Sequence, residues 1–316
     1  MQHWDDYWHS GFLTSFGSAF NNNYQGVYLD FWQTVFSSLP KKAKILDLAT
    51  GNASLPLIGA EVSNKLALEH HFCATDLANI DTSLISEKLA DISSQAQDTV
   101  ELYPNTCSTT LPFADQTFDC VTSQYGFEYS DQLQTLAQIS RVSKPNAQVI
   151  LVTHHADSVI LKRNNKTIQL LTKILSSNGL LAIIIKLVKQ LGDDDNRFDP
   201  KSEKLRNKLN NKIRSLEQDN KTSYMDTNIQ DLILTLFKQG TLSQQQRLSK
   251  VDAYKMEARS HIQRLSDLKN AAISEKKLEL LLTQADQLGL KPFAKELLHD
   301  DKDNLLGWII KLNKSA

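Results

Sequence analysis

The sequence predicts an α/β fold, a doubly wound and mostly parallel sheet carrying an all-helical insertion. Three observations predict it. Residues 41–155 alternate short apolar runs of strand length with helical patterns. Residues 156–270 lose the strand pattern, and Lys, Asn, Gln and Leu at helical spacing take over. Residues 271–316 then return to one helix and two strand-like runs. Strand–helix–strand repeats of this kind imply parallel strands covered by helices on both faces.

Residues 1–40 are rich in aromatic side chains, and from Tyr24 their spacing is helical: Tyr24, Val27, Tyr28, Phe31, Trp32 and Val35. Pro40 ends that helix. Trp4, Tyr7, Trp8, Phe16 and Tyr24 are placed to form a helical lid, whereas Phe31, Trp32 and Phe36 read as core. The strands of the next zone are Lys44–Leu48, Phe72–Thr75, Phe118–Thr122 and Gln148–Thr153, with helices at Leu55–Leu68, Ser83–Ala96 and Gln132–Val142 between them. In the insertion the helical stretches are Val159–Leu175, Leu180–Leu191, Glu203–Leu216, Asn228–Phe237 and Ser243–Leu265. Asp193-Asp194-Asp195 reads as a solvated turn. The last zone holds a helix at Glu275–Leu288 capped by Gly289, then Pro292–Leu298 and Gly307–Leu312 as an antiparallel hairpin.

With 35 basic and 36 acidic residues the formal net charge is −1. That balance gives no global attraction to nucleic acid or to an anionic membrane. The basic stretch Lys201, Lys204, Arg206, Lys208, Lys212 and Arg214 reads as a solvated helix face. Cys73, Cys107 and Cys120 have no C-x-x-C spacing and read as reduced thiols, which places the chain in the cytoplasm. The start, Met1 to Asp6, does not read as a signal peptide. The longest apolar run, Leu180 to Ile185 and then Leu187-Val188, is short of the ~18 residues of a membrane span, so none is expected. That run is expected to be insertion core or a homodimer contact.

The most informative segment is Ile45-Leu46-Asp47-Leu48-Ala49-Thr50-Gly51-Asn52-Ala53, an apolar strand ending in an acid, then a turn of small residues before a helix. Small residues let a ligand approach the backbone, and a helix N-terminus offers free N–H groups. A second acid, Asp76, ends the second strand, where a carboxylate can accept hydrogen bonds from both hydroxyls of a ribose. These two features fit either of two nucleotide-like cofactors. Further on stand Leu111-Pro112-Phe113, Phe118-Asp119 and Arg141-Val142-Ser143-Lys144-Pro145.

Laid in this order, the segments resemble the class I methyltransferases that use S-adenosylmethionine (SAM), in the broad group acting on small molecules. The resemblance covers about residues 41–155 and 273–312, and it implies a seven-stranded Rossmann-like sheet with SAM as cofactor. By the same resemblance, Asp47 and the turn Ala49, Thr50, Gly51 and Asn52 would hold the amino-acid end of SAM. Asp76 would bind the ribose, Leu77 would lie against the adenine, and Cys107 and Ser108 would stand where the family contacts the base. Gln124 and Tyr125 would border the methionine and the acceptor, with Tyr24 as a further cofactor contact. Ala49 and Ala53 stand at two glycine positions of the family pattern, Cys107 at the position of an acid, and Asn146-Ala147 at that of Gly-Gly.

His154 and His155 follow the fourth run, at the sheet edge where ligands bind, and with Tyr125 they are the candidates for a general base. Adjacent strand residues point to opposite faces, so the two histidines form no metal site, and no metal is expected. His70-His71 read as surface. The expected function is methyl transfer from SAM to a small-molecule acceptor. The alternative is a weakly active or inactive SAM-binding protein acting through its insertion as an interaction module. A nucleic-acid substrate is not expected, because Gln124-Tyr125-Gly126-Phe127 replaces the Asn/Asp-Pro-Pro-aromatic tetrapeptide.

Overall fold

Apolar residues on both sides of a strand require cover on both sides, and β1 (Lys44–Leu48) shows how this is met. Leu46 and Leu48 join a core with Leu136, Ile139, Leu278 and Leu281. Ile45 is equally buried on the other face. The computed structural model describes residues 2–17, 20, 22–93, 96–193, 199–219, 221–238 and 242–316. Of the expected acidic turn, Asp194 and Asp195 lie outside the described residues.

The described chain divides into two units, Met1–Val159 with Asn270–Ala316, and Ile160–Lys269. In the first, short α1 (Gln2–Trp8) and α2 (Val27–Ser38) precede β1. There follow α3 (Ser54–Leu66), β2 (His71–Thr75), α4 (Thr82–Ile92), β3 (Val100–Tyr103), β4 (Phe118–Gln124), α5 (Gln132–Val142) and β5 (Ser143–His154). The last elements are α12 (Glu275–Gln287), β6 (Leu290–His299) and β7 (Leu305–Lys314), numbered after the six helices of the insertion described below. Asp81, Asp131 and Ser274 cap α4, α5 and α12, each accepting from a backbone N–H three residues on.

The sheet order is β3-β2-β1-β4-β5-β7-β6. All pairs are parallel except β5–β7 and β6–β7. This is a doubly wound Rossmann-like sheet closed by an antiparallel hairpin. The chain winds outward from β1 to β3 and then crosses to β4, so the order reverses between β1 and β4. In such sheets ligands bind outside the carboxyl ends of the strands at that reversal.

Several elements differ from the sequence reading. α1 lies within the expected helical lid, ahead of the helical spacing read from Tyr24, and α2 starts at Val27 because Gly26 has a φ of 56°. β3, Val-Glu-Leu-Tyr, carries no continuous apolar run and was not anticipated as a strand. β5 begins at Ser143, five residues before the expected start at Gln148, and Asn146 within it has a φ of 65°. His70 is not a surface residue: its ring is buried at the edge of Phe72 and contacts the carbonyl of Pro40.

The helical unit contains most of α6 (Val159–Leu175), α7 (Leu180–Leu191), α8 (Pro200–Asp219), α9 (Lys221–Met225), α10 (Ile229–Phe237) and most of α11 (Gln244–Ala271). Its core is the apolar side of α7, with Leu170 and Ile174, Leu209 and Leu216, and Ile229 and Leu236 packed around it. Arg163 and Asp226 form a two-pronged ion pair. Lys204, Lys208 and Lys212 of α8 line an open groove with Asn178 and Asn207. The stretch Val159–Leu191 is long and apolar enough to cross a membrane by length and composition, a measure that the core helix of a soluble protein also meets; 44 % of its most apolar window is buried in the protein.

Candidate active site

The turn after β1 owes its shape to left-handed backbone at Ala49 (φ 52°), Gly51 (φ 54°) and Ala53 (φ 59°). Alanine in that region costs ~1–2 kcal/mol, so outside contacts must hold the turn. Asp76, at the end of β2, does so. One carboxyl oxygen accepts the Gly51 N–H at 2.7 Å and the other the Ala78 N–H at 2.8 Å. Each oxygen keeps a second lone pair for a further donor. Burial pushes the Asp76 carboxyl up to about 6, against the lowering by these N–H groups.

Asp47 ends in a buried position on β1, and its Oδ1 accepts the Thr122 hydroxyl at 2.8 Å. Burial is the main reason its carboxyl is pushed up to about 7. The neighbouring hydroxyls of Thr50 and Thr122 lower it, only Thr122 with a hydrogen bond of good geometry, and Asp76 raises it.

The N-terminal segment is clasped onto this turn. Asn52 Nδ2 donates to the carbonyls of Trp8 and Phe12, both at 2.8 Å. Ser54 donates to the carbonyl of Leu13, and Asp5 accepts the Asn79 N–H at 2.9 Å. The Trp8 indole lies directly on Gly51, where an added Cβ would stand 2.4 Å from the ring.

Under this segment lies a cavity of about 30 Å³ whose lining includes Trp8, Tyr24, Asp47, Thr50, Gln124 and Tyr125. That is space for water and far below the ~300 Å³ of a small-molecule pocket. Two lining residues hold buried polar atoms with no hydrogen bond of good geometry, Thr50 Oγ1 and, beside the Tyr24 hydroxyl, Gln124 Nε2. The other amide atom of Gln124, Oε1, accepts the Trp32 indole N–H.

The sequence-derived residues separate into three groups. Asp47, Ala49, Thr50, Gln124, Tyr24 and Tyr125 line the cavity. Gly51, Asn52 and Asp76 build the turn beside it. Leu77 is about half exposed, Cys107 contacts Thr109 and Ser108 contacts Thr135, and none of the three lines the cavity.

The base candidates also separate. Tyr125 is buried against Tyr28, their hydroxyls 2.9 Å apart. Burial holds the Tyr125 phenol well above the usual tyrosine range, so it is neutral at neutral pH. Tyr28 is pushed up to about 12 by burial. His154 lies behind Tyr125, ring stacked on ring at 3.9 Å, with Nδ1 2.8 Å from Glu128 Oε1. His155 lies against Trp308, and its Nδ1 accepts the Asp157 N–H. Among the described residues no cluster of His, Cys, Asp or Glu suits a metal ion.

Sequence reasoning missed Thr122, Ser54 and Glu128. The signal available for Glu128 was a lone acid between aromatic residues just past the fourth strand, which carries no chemistry until its partner is known.

Comparison with known proteins adds family evidence. The model of the ubiE/COQ5 methyltransferase family matches residues 19–205. No curated protein matches the chain. Similar solved structures include a SAM-dependent methyltransferase from Aquifex aeolicus, 10 % identical over 90 % of this chain and 89 % of that one, at a TM-score of 0.43. Another is the Burkholderia thailandensis 1,6-didemethyltoxoflavin-N1-methyltransferase with bound 1,6-didemethyltoxoflavin and S-adenosylhomocysteine (SAH), 10 % identical over 92 % and 80 %, at 0.44. A SAM-dependent methyltransferase from Methanosarcina mazei is 13 % identical over 89 % and 97 %, at 0.43.

Proposed function

Because the chain belongs to the ubiE/COQ5 methyltransferase family and is a SAM-dependent methyltransferase, we propose that its acceptor is a small molecule taken up beside Tyr125, next to the cofactor crevice. The observation that supports the crevice is the convergence of Asp47 with two unpartnered polar atoms, Thr50 Oγ1 and Gln124 Nε2, on one buried cavity at the β1/β4 reversal, with Tyr125 also in its lining. Buried polar atoms without partners are rare and costly, and a ligand that pairs them removes the cost.

The donor and acceptor set fits the amino-acid end of SAM. Asp47 would accept from its ammonium group, and Thr50 and Gln124 would donate to its carboxylate. The free lone pairs of Asp76 would take the ribose hydroxyls. The present cavity volume admits the cofactor only when Trp8 leaves Gly51. When bound, SAM supplies a methyl group already activated on a sulfonium. The protein is then left to align the acceptor and exclude water. Phe16, Tyr24 and Tyr28 exclude water, and the paired hydroxyls of Tyr28 and Tyr125 keep one hydrogen between them to orient an acceptor oxygen or nitrogen.

Calorimetry with SAH tests the crevice. Wild-type chain should bind, and Asp76→Ala should lose binding while retaining its far-UV circular dichroism. Wild-type affinity in the folded D76A chain would remove Asp76 from the site. Incubation with methyl-labelled SAM and separated lysate fractions tests the acceptor class. Label should enter the low-molecular-weight fraction, and label confined to protein or nucleic acid would overturn the small-molecule reading.

A further inference from the structure

Behind the cavity wall, Glu128 and His154 form a fully buried pair that cofactor binding does not use. Glu128 sits in the 3₁₀ turn Phe127–Tyr129 directly after β4, and His154 ends β5. Glu128 Oε1 accepts the backbone N–H of His154 at 2.9 Å and meets Nδ1 of the same residue at 2.8 Å. An oxygen already accepting one N–H meets the second nitrogen as another acceptor, so the ring hydrogen sits on Nδ1. The ring so oriented lies flat on Tyr125, 3.9 Å between centroids and 26° between planes.

Tyr125 depends on such support. Its backbone is left-handed at φ 57°, a conformation a bulky residue holds only when its surroundings impose it. Its hydroxyl meets that of Tyr28 at 2.9 Å. Glu128 Oε2 is buried with no partner. A pair needed only for packing would be replaced by apolar residues at no loss, and a half-satisfied buried carboxyl is costly to keep.

We propose that Glu128 is a positioning residue: it fixes the Nδ1–H form of His154, whose stacked ring holds the Tyr125 phenol toward the cavity. This rests on the reading of that cavity as the methyl-transfer site. Glu128 touches no substrate and acts through two rings in series.

Nitrogen-detected NMR of the histidine rings in the full chain at pH 8, assigned with His154→Gln, reads the tie directly. The wild type should carry its ring hydrogen on Nδ1. Glu128→Gln, whose amide oxygen accepts the same two N–H groups, should keep it there. Glu128→Leu should move it to Nε2 and abolish the upfield ring-current shift on the Tyr125 ring protons. Label transfer to the small-molecule fraction should fall at least ten-fold in E128L and hold within three-fold in E128Q, with SAH affinity within two-fold of wild type in both. A wild-type ring lacking hydrogen on Nδ1 overturns the proposal without any variant. So does a folded E128L chain that keeps the Nδ1–H ring or full label transfer. A wild type that transfers no label to small molecules overturns the acceptor reading alone, and the ring spectra then decide the role of Glu128.

Discussion

Replacing Asp47 by Asn removes a buried charge while keeping an oxygen that can accept the Thr122 hydroxyl. The Asp47 carboxyl moves from 3.8 to about 7 on folding, mainly through burial. A raised acid pKa means that the native state holds the proton more tightly than the unfolded chain. The contribution therefore destabilises progressively as pH rises from the unfolded value, and it is complete above about 7. Each pH unit in that window costs about 1.4 kcal/mol. Between pH 5 and pH 8 the wild type should thus lose about 3 kcal/mol that the Asn variant does not lose. Urea denaturation of both chains at the two pH values measures this as a difference of differences, which cancels the titrating groups not coupled to Asp47. Asp47→Asn should be the more stable chain at pH 8, with the margin shrinking at pH 5. A margin that stays constant within about 0.5 kcal/mol, or that grows on acidification, would refute the argument that burial dominates this carboxyl.

Three further outcomes follow from the geometry. Gly51→Ala places a Cβ 2.4 Å from the Trp8 ring at a φ of 54°. It should cost at least ~1–2 kcal/mol in urea melts and shift tryptophan emission to the red as Trp8 is displaced. Trp8→Ala should lower stability by ~3 kcal/mol yet speed SAH association in stopped-flow measurements, since the indole covers the crevice. Arg141 donates to the carbonyls of Leu111 and Phe113 and to Asp115. Arg141→Met should therefore cost ~2 kcal/mol in urea without altering SAH affinity.

Elements with local signals were legible to the residue. β1, α5, α6 and α7 fall where apolar spacing and end signals place them. The elements that escaped lack such signals. β3 is four residues long with a polar second position, and packing beside β2 makes it a strand. The bounds of α1 within the expected lid also escaped: it is a seven-residue helix, too short to stand alone, and Asn52 and Asp5 fasten its segment from a distance. The extra length of β5 comes from pairing Ser143 with Phe118 across an irregular register. In the site, Asp47 and Asp76 were legible because each ends an apolar run, which fixes position without any partner. Glu128 was not, since its meaning depends on a histidine 26 residues away. The same limit applies to His154 and His155. Strand alternation separates their faces, but only packing shows that one ring supports Tyr125 and the other meets Trp308.

The β1 turn also shows that its conformation is not a property of its own sequence. Three of its residues are left-handed and two of those are alanine, which favours relaxation. Opposing that are the Asp76 carboxyl on the Gly51 N–H, and the Asn52 side chain with two carbonyls of the N-terminal segment. Both sets of contacts come from outside the turn. Withdrawal of Trp8 to admit a ligand removes the second set unless Asn52 finds new acceptors, and it leaves Asp76 to hold the turn. The carboxylate assigned to the ribose is therefore also the one that keeps the turn in shape while the crevice is open. Loss of Asp76 should thus loosen the turn as well as the sugar contact. For that reason D76A should abolish SAH binding altogether, where loss of one hydrogen bond to a preformed site would only weaken it.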